Sequence, residues 1–194
     1  GLGKGMAIAL ANSNARVIVT SRNLKDIKEI SQHKSGKIFG YNLDVTKSKD
    51  LKKLYNKIKK KYKKIDIIIN NVGHTLNIKN PFADIKNWKK IMDLNFFTAV
   101  NVTNTFINDM KKKNWGRIIN ITSIAGTEIS GPSTFNSSKA ALTAYTRSVG
   151  RQLAIEKRNI VMTAVAPGII ATERGHWNQK TIKSSKIFLV KNTI

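Results

Sequence analysis

Residues 65–70 read Ile-Asp-Ile-Ile-Ile-Asn, a nearly unbroken apolar run. A strand with one wet face alternates apolar and polar side chains. A continuous run needs cover on both faces, as in a parallel sheet held between helices. Parallel neighbours require crossover connections, and the flanking sequence supplies them. Helical patterns at 3–13, 23–33, 47–63, 87–112 and 134–157 alternate with strand patterns at 16–20, 37–44, 65–70, 116–121 and 160–165. That alternation predicts an α/β fold, a Rossmann-type doubly wound parallel sheet in three α/β/α layers. Right-handed crossovers then bring the strand C-termini to one edge, where ligands bind.

The chain opens inside a glycine turn with no strand before its first helix. A doubly wound sheet places its first strand centrally, so the expectation is an incomplete sheet whose first strand is missing, truncated at the N-terminus. Residues 1–177 are expected to form one partial dinucleotide-binding domain. Residues 178–194 have weak patterning from Lys180 onward and read as an aberrant or mobile tail, so the C-terminus is expected to be truncated as well.

Charge has two readings. Lys and Arg number 35 against 11 Asp and Glu, a formal net charge of +24. Such a balance suits a nucleic-acid or anionic surface, or a lysine-rich solvated exterior. The second is favoured, with no nucleic-acid partner expected, because the cations are mostly Lys and spread along the chain. In 51–64, Leu51, Leu54, Tyr55, Ile58 and Tyr62 form a helical stripe and lysines fill the remainder. No RNA-binding aromatic motif or zinc-finger spacing accompanies them. No run of 18 apolar residues predicts a membrane span. The absence of cysteine excludes disulfides and fits a reducing, cytoplasmic setting. His33, His74 and His176 lack ligand spacing, so no metal is expected.

Several polar residues fall at strand ends. Gly1-Leu2-Gly3 opens a helix, where glycines let backbone approach a pyrophosphate and the helix start offers amide donors. Arg22 follows the strand at 16–20. No acid stands in Thr20-Ser21-Arg22 to hold a ribose 2′-hydroxyl, and an arginine suits a 2′-phosphate, so NADP(H) is favoured over NAD; otherwise Arg22 is a surface cation. Asp44 could accept from an adenine amino group or belong to the start of the next helix. Asn70-Asn71-Val72-Gly73 ends the most apolar strand, where two amides could tie strands together. Asn95 sits in a helical run between Leu94 and Phe96, where its amide needs a partner. Ser123 could bond a substrate carbonyl or form a turn. Phe135 and Lys139 share a helix face at i and i+4.

Taken together, these motifs resemble the classical short-chain dehydrogenase/reductase family over roughly residues 1–177. Gly1 and Gly3 match the last two glycines of its Thr-Gly-x-x-x-Gly-x-Gly. Asn70-Asn71-Val72-Gly73 matches Asn-Asn-Ala-Gly with one change, and Pro167, Gly168 and Thr172 match Pro-Gly-x-x-x-Thr. The family's catalytic asparagine and serine fall on Asn95 and Ser123, and its Tyr-x-x-x-Lys falls on Phe135 and Lys139. The resemblance implies an NADP-dependent oxidoreductase moving hydride between nicotinamide and a small carbonyl or alcohol substrate. It implies cofactor contacts at Gly1, Leu2, Gly3, Arg22, Asp44, Val45, Asn71, Gly73, Lys139, Ile170 and Thr172, and a homodimer or homotetramer. Ser123 would hold the reacting oxygen, Asn95 a relay water, and Lys139 the ribose. The family's tyrosine gives the proton, and Phe135 has none. An inactive homologue that still binds NADP(H) is therefore the alternative to an oxidoreductase of altered activity.

Overall fold

Strand and helix alternate through the residues that the computed structural model describes, 1–128 and 131–170. Gly1–Leu54 forms the body of one compact unit and Tyr55–Gly168 the other.

In the first unit, α1 (Leu2–Asn12) leads to β1 (Val17–Ser21), α2 (Leu24–Ser31), β2 (Ile38–Asn42) and the start of α3 (Ser48–Lys61). β1 and β2 pair in parallel from Val17 against Ile38 to Ser21 against Asn42. Ala7 and Ala11 on α1 bury against Ile30 and Ile38, with Ile8, Val17 and Val19 packed around them. Small alanines let the helix lie close to the strands. α2 begins on an Asn23 cap whose side chain accepts from Lys25 N, a common helix start. The expected strand at 37–44 is shorter. It ends at Asn42, because Asp44 turns the chain by accepting from Thr46 N at 3.1 Å and Thr46 Oγ1 at 2.7 Å. The stripe on α3 is as expected: Leu51, Leu54 and Ile58 are buried while Lys52, Lys53, Lys57, Lys60 and Lys61 are exposed.

In the second unit, β3 (Ile67–Asn70), β4 (Gly116–Ile121) and β5 (Ile160–Val165) form a parallel sheet with β4 central. Between β3 and β4 run α4 (Ile85–Met92), a π-turn (Asp93–Phe97) and α5 (Thr98–Lys113). A 3-10 turn (Ile124–Gly126) and α6 (Ser133–Ile155) join β4 to β5. α5 stops at Asn114, which takes a left-handed φ of 51° and accepts from Asn159 N at 3.1 Å, so one residue ends the helix and anchors the approach to β5. α6 lies close on β5: a Cβ at Gly150 would stand 3.0 Å from Met162 O. It also touches the 3-10 turn, since a Cβ at Gly126 would stand 2.9 Å from the Lys139 carbonyl carbon.

Parallel sheets flanked by helices are as expected. Among the described residues Ile67 is 43% exposed, and on β5 Val161 and Val165 are 48% and 50% exposed while Ile160 and Met162 are buried. One expectation needs correction here. The helix expected at 87–112 begins at Ile85 and is interrupted by the π-turn, for a reason that lies in the site. Among the described residues no helix is long and apolar enough to cross a membrane.

Candidate active site

All strands of each sheet run parallel, so their C-terminal ends share an edge. In the second unit that edge carries Asn70 and Asn71, Ser123, and Pro167-Gly168. The loops are tied there: Thr122 N donates to Val165 O at 2.8 Å and Ile124 N to Pro167 O at 3.1 Å. Beneath them Asn70 and Asn120 stand opposite each other in register. Asn70 Nδ2 donates to Asn120 Oδ1 at 2.8 Å and to Thr103 Oγ1 at 3.3 Å, and Asn120 Nδ2 donates to Thr146 Oγ1 at 2.8 Å. The network joins β3, β4, α5 and α6 under the edge, and each side-chain amide nitrogen has an acceptor, as burial requires. Asn70 ties the strands as expected. Asn120, Thr103 and Thr146 were not singled out in the sequence, although an asparagine within each of two apolar strands was a readable signal.

Asn95 explains the π-turn. Its side chain is 1% exposed and fully engaged: Oδ1 accepts from His74 N at 2.8 Å, and Nδ2 donates to His74 O at 3.0 Å and Ile91 O at 3.1 Å. Wider winding frees backbone carbonyls for side chains. Thr98 Oγ1 uses another, donating to Asp93 O at 2.8 Å. The amide therefore clamps the backbone of the β3–α4 loop directly after Gly73. His74, which sequence reasoning passed over, takes part through its main chain.

Lys139 reaches the same place from α6. Its Nζ donates to Ile121 O at 2.8 Å and lies 5.7 Å from the centroid of the Phe135 ring. The residue is 4% exposed. Burial pulls its ammonium down to about 8 from the ordinary lysine value. A Cβ on Gly73 would stand 2.7 Å from Asn95 Oδ1 and 2.9 Å from Lys139 Nζ. Asn95, Gly73 and Lys139 thus meet at one point, and only glycine leaves that point open.

Ser123 sits beside Ile121 and Thr122 as the cap of the 3-10 turn, its Oγ accepting from Ala125 N at 3.1 Å. Its turn-forming role is real, and its hydroxyl proton finds no acceptor among the described residues. Of the other hydroxyls near Phe135, Ser133 Oγ is buried without a hydrogen-bond partner among the described residues, and two are committed. Ser138 Oγ donates to Phe135 O at 2.7 Å, and buried Thr134 Oγ1 points to Ile78 O at 3.5 Å. Asn71 is half-buried after β3.

The remaining candidates belong to the first unit. α1 starts on Gly1 without a side-chain cap, so the amides of Leu2 and Gly3 have no such partner. Arg22 is exposed immediately after β1, and half-buried Val45 follows Asp44. Asp44 acts locally, holding Thr46, as the second reading of it allowed. Ile170 is half-buried and is the last described residue of the main body. Thr172 and the segment 178–194 lie outside the described residues. Among the described residues no cluster of His, Cys, Asp or Glu could hold a metal.

Each unit carries donors of a kind that part of a dinucleotide needs. The uncapped glycine start of α1 suits a pyrophosphate, and the ammonium beside the open Gly73 position suits a ribose.

Residues 1–182 match the family model for short chain dehydrogenase. The 3-oxoacyl-(acyl-carrier-protein) reductase FabG of Haemophilus influenzae is 33% identical over 175 residues, which cover 89% of this chain and 71% of that protein. ElxO with NADP bound is 29% identical with a TM-score of 0.78, and its tyrosine-to-phenylalanine variant with NADPH bound is 28% identical with a TM-score of 0.77. Each match covers 93% of this chain and 73% of the other. A 7α-hydroxysteroid dehydrogenase complexed with NADH and 7-oxo glycochenodeoxycholic acid is 28% identical, with a TM-score of 0.81 over 89% of this chain and 68% of that one.

Proposed function

The chain belongs to the short-chain dehydrogenase family, and from that premise we propose that it is an NADP-dependent oxidoreductase acting on a small carbonyl or alcohol. The observation that carries the proposal is the convergence of Asn95 and Lys139 on Gly73. An asparagine clamped by three hydrogen bonds and a desolvated ammonium are costly to bury without use.

A bound nicotinamide supplies or accepts the hydride. Ser123 turns its free hydroxyl proton toward the reacting oxygen and orients it. Asn95 holds the backbone after Gly73 in place, so that the loop and the ammonium keep their spacing. Lys139 keeps positive charge next to the ribose position and favours charge that develops on oxygen. Phe135 contributes shape and no proton. The relatives make a 3-oxoacyl thioester one substrate to try, beside simple ketones. We further propose a cytoplasmic homodimer or homotetramer paired through its long helices.

Arg22 carries the choice of cofactor. It stands where an acid would select NAD, and a guanidinium bonds a 2′-phosphate as a planar fork. NADPH is expected to bind roughly tenfold or more tightly than NADH, as a charge-assisted hydrogen bond warrants, and Arg22→Ala is expected to erase the difference. Fluorescence titration of both cofactors checks this; equal affinities in the parent chain would remove the preference for NADP.

A further inference from the structure

Around Phe135 the hydroxyls of Ser123 and Ser133 keep their protons, but an alcohol is a far weaker acid than an ammonium. Ser138 Oγ and Thr134 Oγ1 are directed to backbone carbonyls. His74 Nδ1 accepts from Leu76 N at 2.8 Å, so the ring holds its one proton on Nε2, as a neutral imidazole N–H that is a far weaker acid than an ammonium. Its backbone N and O are held by Asn95. Lys139 differs from all of these. Its Nζ spends one proton on Ile121 O and has two more, lies 5.7 Å from the Phe135 ring centroid, and faces the open position at Gly73. No ion pair is recorded for it among the described residues.

We propose that Lys139 is the proton donor of this chain, its ammonium delivering to the substrate oxygen the proton that a phenol at position 135 would otherwise deliver. This rests on the oxidoreductase reading above. In the reducing direction the carbonyl carbon receives hydride from the reduced nicotinamide, and the C=O π pair moves onto oxygen. The oxygen takes one Nζ proton: an O–H bond forms, an N–H bond breaks, and the alcohol leaves beside a neutral amine and oxidised nicotinamide. The amine still donates to Ile121 O. It regains its proton from solvent on the side where Gly73, itself exposed, has no side chain to block approach.

Burial strengthens the acid, since it favours the neutral amine. The titratable groups on the elements around it are His74 on the β3–α4 loop, Asp93 in the π-turn, Lys86, Lys89 and Lys90 on α4, and Arg117 on β4. None of them accounts for the shift, which comes from burial. An acid must be protonated to act. The rate of reduction should therefore be level below about 8 and fall tenfold per pH unit above it.

The test compares the parent chain, Lys139→Arg and Phe135→Tyr for NADPH-dependent reduction across pH, with NADPH affinity read by fluorescence. Carbon-13 NMR of Lys139 Cε gives its titration without cofactor. Arginine keeps the charge but releases no proton in this range. The expected result is a loss of at least tenfold in kcat at saturating NADPH for Lys139→Arg, over and above any change in NADPH affinity. The parent's falling limb should coincide with the NMR midpoint, and Phe135→Tyr should move that limb. A pH-independent parent rate, or a Lys139→Arg variant as active as the parent, overturns the proposal. An inactive parent beside an active Phe135→Tyr variant overturns the role of Lys139 and leaves the oxidoreductase reading standing; inactivity of both overturns that reading too.

Discussion

Phe135→Tyr is expected to raise NADPH-dependent carbonyl reduction at least tenfold. A positioned general acid contributes about 10² to 10⁴ in rate, and the parent's ammonium recovers part of it. The reasons for the gain are local. Lys139 Nζ lies 5.7 Å from the centre of the ring that would carry the new hydroxyl, close enough for its charge to favour a phenolate. Phe135 is half-buried at the start of α6, whose next turns are fixed by Ser138 on Phe135 O and by Lys139 on Ile121 O. The added oxygen therefore enters a backbone already in position. Steady-state kinetics on a panel of ketones and 3-oxoacyl thioesters measure it. An unchanged rate for every substrate would show that the hydroxyl is not what the site lacks.

Gly73→Ala is expected to act in the opposite direction, lowering kcat/KM about 10²-fold. The new Cβ would stand 2.7 Å from Asn95 Oδ1 and 2.9 Å from Lys139 Nζ, closer than such atoms approach. Lys139 can swing its flexible end away, but that removes the ammonium from its place. Asn95 is held by three hydrogen bonds and moves only if the His74 clamp opens. Displacements approaching an ångström at a reacting centre cost about this much, and overpacking of this kind destabilises by roughly 1–3 kcal/mol. The two costs separate experimentally, because thermal unfolding reports the packing and kinetics report the site. An alanine variant with parental kcat/KM and NADPH affinity would contradict the placing of Asn95 and Lys139 around this glycine.

The sequence carried most of the fold because local chemistry fixes it. Apolar runs at 116–121 and 160–165 match β4 and β5 residue for residue. Lysines around Leu51, Leu54 and Ile58 gave α3 its wet face before any coordinates. The shortfall lies in long-range events. Asn95 was legible as a polar residue in the wrong surroundings, but its partner His74 is 21 residues away and contributes only backbone. A π-turn has no composition of its own, so the helix read as unbroken. Asp44 falls within the strand pattern at 37–44, yet its carboxylate bonds the Thr46 amide more readily than the ladder continues. The contact between Gly73 and Lys139 depends on how three elements pack, which no short window of sequence encodes.

The account stands or falls on hydride reaching a carbonyl carbon from the nicotinamide in this chain. NADPH deuterated at the transferable position of the nicotinamide ring, incubated with the parent and with Phe135→Tyr and a ketone that Phe135→Tyr reduces, tests it by mass spectrometry of the alcohol. The prediction is deuterium on the carbinol carbon in both, accumulating more slowly with the parent. Product alcohol without the label, or no alcohol from either protein despite bound NADPH, would contradict it.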